Sequence, residues 1–173
     1  QENHLFELRL GMQNIPHQGF PNQRMDMTRN DSEQANLRYR GRFDWGVLNA
    51  RIYRERTRHG MNFLDDKAYW YPRGAAGMPM ETKGDNIGAV LNADIALSER
   101  DLLRTGVEYQ RYRLDDWWPA SGAGGMSPDT FRSINDGQRD RVALFAEWEA
   151  NWSPQWTTLA GVRTEEVKTA AGR

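Results

Sequence analysis

Between Gln138 and Glu166 the chain alternates two residues at a time. Val142, Leu144, Ala146, Trp148, Ala150 and Trp152 hold one parity, while Arg141, Ala143, Phe145, Glu147, Glu149 and Asn151 hold the other. Successive side chains of a β-strand point to opposite faces, so the run predicts a strand with one apolar and one mostly polar side. Ser153-Pro154-Gln155 interrupts it, and the alternation resumes with Trp156, Thr158, Ala160 and Val162 against Thr157, Gly161, Arg163 and Glu165. A helical stripe would set Glu147 and Glu149 among the apolar residues. The pattern is that of a hairpin of two long strands.

The same period recurs upstream. Phe6, Leu8, Leu10 and Met12 alternate with Glu7, Arg9, Gly11 and Gln13. Ala35 to Phe43 and Leu48 to Glu55 form two further alternating runs around a tight Asp44-Trp45-Gly46 turn. Ile87, Ala89, Leu91, Ala93, Ile95 and Leu97 give the cleanest dyad, and Ser98-Glu99-Arg100-Asp101 turns it into Leu103, Thr105, Val107 and Tyr109. Three long polar segments separate these runs, so about six strands are expected, joined by connections that are alternately long and short. Leu91, Ala93, Ile95, Leu144, Ala146 and Trp148 should share one face, and Asn92, Asp94, Glu147 and Glu149 the other.

A soluble sheet buries its apolar face, and the chain contains no amphipathic helix to cover this one. A transmembrane barrel strand needs about 9–11 residues of outward apolar alternation that end in aromatic residues at the headgroup level. Aromatics do gather at the short turns (Phe43, Trp45, Trp152, Trp156) and at the roots of the long segments (Tyr69, Trp70, Tyr71, Tyr109, Tyr112, Trp117, Trp118). Short turns on one side and long loops on the other are the asymmetry of outer-membrane barrels. The fold class read from the pattern is all-β: a segment of an antiparallel up-and-down transmembrane β-barrel. It is open as given, because six strands fall short of the 8 of the smallest bacterial barrels.

Composition narrows the picture. The formal charge is −1, which gives no reason to expect a nucleic-acid partner. The 38% hydrophobic content would suit a soluble protein, but a barrel with a polar interior and polar loops has the same average. No apolar stretch approaches the roughly 18 residues of a transmembrane helix. The absence of cysteine excludes disulfides and thiolate metal sites. The N-terminus QENHLFELRL has no Met start, basic region or apolar core of a signal peptide, and alternation begins almost at once, so the chain is expected to be an excerpt of a longer one.

Methionine carries the chemistry. Six of the seven (Met25, Met27, Met61, Met78, Met80, Met126) lie in the long segments. They fall into the i, i+2 groups Met25-Asp26-Met27, His59-Gly60-Met61 and Met78-Pro79-Met80, whose members point the same way in extended chain. His59 and Met61 continue the parity of the inward residues Asn49, Arg51, Tyr53 and Glu55. Thioether plus imidazole is a soft ligand set that favours copper over Mg, Ca or Mn. The competing explanation is that methionine fills irregular loop packing. Asp65-Asp66 and Asp115-Asp116 could hold a hard cation, but turn formation explains them better. No nucleophile elbow, HExxH or Ser/His/Asp grouping is present, so no catalytic residue is assigned and an enzyme is not expected.

The segments NIPHQGFPNQRMDMT, LRYRGRFDWGVLNARIYRERTRHGMNF, GMPMETKGD, LLRTGVEYQRYRLDDWWP and INDGQRDRVALFAEWEANWSPQW resemble barrel strands and loops of TonB-dependent outer-membrane receptors, most closely the copper-receptor branch. The resemblance covers nearly the whole chain. It implies that residues 1–173 are part of one receptor barrel domain, with the plug domain and remaining strands absent. The full barrel would have 22 strands, sit in the outer membrane and draw energy through the TonB complex by way of the plug. In the copper branch a barrel His-x-Met pair joins plug ligands, and His59 and Met61 are the matching positions, with Met78, Met80, Met25 and Met27 as accessory metal-binding residues. Copper would be a transported ligand, with no tightly bound cofactor, and the partners would be outer-membrane lipid, the TonB complex and the metal or its chelate. An iron–siderophore receptor of the same fold is the alternative; it would use rim aromatics such as Tyr69, Trp70, Trp117 and Trp118. An outer-membrane barrel enzyme and a soluble β-sandwich module are weaker readings, the latter needing its Leu/Ile/Trp face covered by further protein.

Overall fold

The computed structural model describes residues 3–63, 67, 77–122 and 128–172. They form one sheet of seven antiparallel strands in sequence order: β1 (His4–Ile15), β2 (Asp26–Phe43), β3 (Gly46–Asn62), β4 (Met80–Ala96), β5 (Asp101–Trp118), β6 (Phe131–Ser153) and β7 (Trp156–Ala170). The expected six strands are corrected to seven. The closing hairpin contributes two strands, β6 and β7, beyond the five upstream runs, and both show the predicted dyad. The described residues contain no α-helix.

Residues directly opposite each other on neighbouring strands share a face. Phe6, Tyr39, Ala50, Leu91, Val107, Leu144 and Thr164 form one continuous cross-strand row. The next residues along, Asn49, Asn92, Gly106, Phe145 and Arg163, form a row on the other side. Leu91, Ala93, Ile95, Leu144, Ala146 and Trp148 therefore lie on one face and Asn92, Asp94, Glu147 and Glu149 on the other, as the alternation requires. The apolar face is uncovered: Ile52 is 56% exposed, Leu91 45% and Leu144 52%. Among the described residues only Met27, Ala143 and Ala150 are buried apolar side chains. A soluble sandwich cannot be stable on so small a core, so this face must be covered by something other than the sheet itself.

Aromatics close the short-turn end of the apolar band. Gly46 takes a φ of 143° in the turn after β2, a conformation open to glycine, and beside it Phe43 and Trp45 stack with centroids 5.1 Å apart. Trp148 and Trp152 meet edge to face at 6.3 Å, and Arg100 lies over the Trp152 ring at 4.1 Å. Indole N–H groups find acceptors, from Trp148 to Asp101 (3.1 Å) and from Trp152 to Thr158 (3.0 Å). Rings with one apolar side and one polar tip suit a boundary between hydrocarbon and water.

The strands run further than their dyads. β2 begins at Asp26 rather than Ala35, β3 continues to Asn62, and β5 to Trp118. In these extensions polar and charged residues occupy both faces alongside scattered Met, Leu and Trp, so pairing persists while the apolar alternation disappears.

The polar face is held by cross-strand ion pairs at one side of the sheet. Arg104 donates to Glu147 (2.8 Å) and Glu149 (2.7 Å), and Glu108 accepts from Arg163 (2.9 Å) and lies 3.3 Å from Arg141. Towards β1 the same face is basic. Arg9, Arg38, Arg40 and Arg51, with Glu7 and three asparagines, line a hollow of about 610 Å³.

Candidate functional site

At the long-loop end of β2, β3 and β4, three thioethers come into register. Met61 of β3 is opposite Met27 of β2 on one side and Met80 of β4 on the other. Two residues along β3, His59 lies between Asn30 and Thr82. No irregularity interrupts β3 against β4, so His59 and Met61 keep the parity of Arg51, Tyr53 and Glu55 and share the polar face. Directly opposite residues place their Cβ atoms about 4.5–5.5 Å apart. Flexible thioether side chains from such positions can meet on one ion.

A β-bulge brings Met27 there. The β2–β3 register shifts between Met27 and Arg29, so Thr28 is the extra residue and Met27 falls opposite Met61. Met27 also pairs with Gln18 through two backbone hydrogen bonds (2.9 and 3.0 Å), which adds a piece of the first long segment beside β2. Next to it, Asp26 is fully buried, accepts from the Phe20 amide at 2.6 Å and lies 3.5 Å from the ammonium of Lys67, itself 4% exposed. Lys67 donates in turn to the Phe20 carbonyl (2.9 Å). This buried pair ties the first long segment, the start of β2 and residue 67 into one knot next to Met27. The sequence offered no periodic signal for it, since both residues lie in polar stretches.

Asn62 fixes the other flank. Its side-chain oxygen accepts from the amides of Phe63 (2.8 Å) and Met78 (2.9 Å), which ties the approach to β4 to the end of β3 and sets Met80 in register with Met61. Of the accessory methionines, Met27 and Met80 are thus brought beside Met61, whereas Met25 and Met78 sit just before their strands. Met126, Tyr69, Trp70 and Tyr71, like Asp65-Asp66, lie outside the described residues. Trp117 stands on the apolar-face parity, opposite Glu81 and with the Lys83 ammonium 5.0 Å from its ring centre. Trp118 packs edge to face on Phe131 at 5.8 Å.

The Asp115-Asp116 pair is split by the strand. Asp115 accepts from the Asp136 amide (2.9 Å), while Asp116 accepts from the Thr82 hydroxyl (2.6 Å) on the opposite face and from Ser133. Two carboxylates on opposite faces cannot chelate one cation. Among the described residues no three His, Cys, Asp or Glu side chains converge as a metal site. The side chains brought together around Met61 are thioethers, with one imidazole two residues along β3.

The sequence profile of the family described as "TonB dependent receptor-like, beta-barrel" matches residues 6–173. The chain belongs to the TonB-dependent receptors. In this family's barrels the uncovered apolar face is the one turned to lipid, and the polar face is the barrel interior. The receptor chain superposes on a solved structure described as "Copper transporter OprC" with a TM-score of 0.84 at 16% sequence identity; the match covers all of this chain and 27% of that one. The shared feature at that identity is the fold. No curated protein matches the receptor's sequence.

Proposed function

We propose that this chain is part of the wall and rim of an outer-membrane receptor that takes up copper, with energy delivered by the TonB complex through a plug domain. The observation that carries the reading is the Met27–Met61–Met80 row with His59 two residues away on the same face. Thioethers and a neutral imidazole select a soft cation such as monovalent copper over hard divalent ions, which prefer oxygen ligands. The name of the solved copper transporter points to the same class of cargo. The His59 imidazole and the Met61 thioether are the barrel's primary ligands in this proposal, and Met27 and Met80 stand as reserve ligands or relays. Trp117 and Trp118 remain candidate rim contacts.

The test belongs in the full-length receptor. Copper bound per chain and copper affinity are measured before and after His59→Ala with Met61→Ala. A loss of affinity of at least about tenfold is expected, the scale set by altering groups around a metal. Unchanged stoichiometry and affinity would remove copper and favour a chelated-iron cargo instead.

A further inference from the structure

Glycine is a poor residue for the interior of a strand, where it packs nothing and costs backbone entropy; it is found there when another group passes close to the backbone. Gly60 stands between His59 and Met61 near the end of β3, and it is buried. On the face opposite those two ligands its direct neighbours are Arg29 of β2 and Glu81 of β4. These two meet across it, the Arg29 guanidinium donating to Glu81 at 2.6 Å. β2 and β4 are two strand spacings apart, about 9–10 Å. The pair therefore spans three strands and passes over the bare backbone of Gly60. A Cβ at position 60 would lie 3.2 Å from the Thr28 hydroxyl and 3.3 Å from a Glu81 carboxylate oxygen.

Other charges do not compete for this pair. The Arg29 Nε makes no hydrogen bond among the described residues, and Asp31 stays 3.9 Å from it. Lys83, the next residue on that face of β4, lies over the Trp117 ring instead. The bulge at Thr28 that turns Met27 inward also turns Arg29 outward, so two rows stand back to back one residue apart. Met27, Met61 and Met80 form the inner row, and Arg29, Gly60 and Glu81 the outer one. A tie on the outer side fixes the curvature of the three strands, and with it the separation of the outer methionines on the inner side. We propose that Arg29 and Glu81, joined over Gly60, are positioning residues that hold Met27 and Met80 at bonding distance about an ion at Met61, an inference that rests on the copper reading above.

The first readout needs no metal. In the full-length receptor labelled with 13C-methyl methionine, nuclear Overhauser contacts of the Met61 methyl with those of Met27 and Met80 are compared between the native protein and its variants. Arg29→Gln and Glu81→Gln should weaken these contacts, and the exchanged pair Arg29→Glu with Glu81→Arg should restore them. An exposed ion pair adds little to global stability, so heat-modifiable gel mobility should not change. Valine is a better strand former than glycine, so on propensity alone Gly60→Val would be neutral or stabilising. Here it should weaken the methyl contacts as the Gln variants do, because its side chain stands between Arg29 and Glu81. The second readout is silver(I), a soft monovalent ion that is not reduced or oxidised during titration. Its affinity should fall about tenfold in the Gln variants, the scale for groups that orient metal ligands, and recover in the exchanged pair. Arg29→Lys keeps the charge and supplies the same rescue test where the exchanged pair does not fold. Native methyl contacts in the Gln variants or in Gly60→Val, or contacts that neither rescue restores, would overturn the proposal. Methyl contacts that respond as expected in a receptor that binds no silver would uphold the positioning pair and overturn the copper reading alone.

Discussion

Met27 and Met80 flank Met61 from the two neighbouring strands, so each can be tested without disturbing the fold. Met27→Leu and Met80→Leu conserve volume and usually cost less than about 1.5 kcal/mol, yet remove the sulfur. The expected result is weaker copper binding in the intact receptor with unchanged heat-modifiable mobility, and a smaller effect for Met78→Leu, which precedes β4. Asp26 belongs to the same neighbourhood but acts through position. Asp26→Ala removes the carboxylate that accepts from the Phe20 amide and lies beside the buried Lys67 ammonium, and losing one member of a buried pair costs up to about 3–5 kcal/mol. Amide exchange at Phe20 and Met27 should speed up well before the rest of the sheet opens. The methionine pairs were visible in the sequence as i, i+2 spacings. Which member of each pair would meet Met61 was not, because that depends on the bulge at Thr28 and on cross-strand register, and neither leaves a periodic mark.

At the scale of the strand, the dyad decides where charge is tolerated. Leu91 lies between Ala50 and Val107 in the middle of the lipid-facing band, so Leu91→Arg should cost about 2–4 kcal/mol, while Asn92→Arg on the interior face should cost clearly less. Unfolding titrations of the receptor in lipid vesicles would measure both. The turn between β4 and β5 lies outside the band and carries a pH signature. The Arg100 guanidinium and the Ser98 hydroxyl hold the Asp101 carboxyl below the usual carboxylate range. A depressed carboxylate stabilises the fold above its ordinary value of about 3.9 and loses that contribution as pH falls through the lowered value. Turn amides should therefore stay protected at pH 5, and Asp101→Asn should remove the acid-dependent part of that protection. The spans where one face meets lipid were legible for the same reason that Leu91 and Asn92 differ. The upper thirds of β2, β3 and β5 were not, since residues such as Arg29, Glu33 and Arg56 are polar on a face that has already left the hydrocarbon. Pairing there is a backbone property that side-chain pattern does not report.

For the molecule as a whole, the sheet is a wall and not a folded core. β1 and β7 each pair on one side only, and a spanning sheet in hydrocarbon must satisfy every backbone group. A sheet of residues 1–173 with both edges open should therefore lack the heat-resistant mobility in detergent that closed barrels show. The wall is also electrically uneven. On the interior face of β1–β3, Arg9, Arg38, Arg40, Arg42 and Arg51 outnumber Glu7 and Glu55, whereas on β4–β7 Asp94, Glu108, Glu147, Glu149 and Glu165 outnumber Arg104, Arg139, Arg141 and Arg163. A unit charge about 7 Å away is worth roughly 0.6 kcal/mol in water and roughly 2.4 kcal/mol at an effective dielectric constant of 20. In the copper reading proposed above, a cation leaving His59 and Met61 would be pushed sideways as it descended, off the arginine hollow and towards the carboxylates of β5 and β6. The wall acts as a transverse field, so the shortest line from the rim to the short-turn end is not the path of lowest energy for a positive cargo.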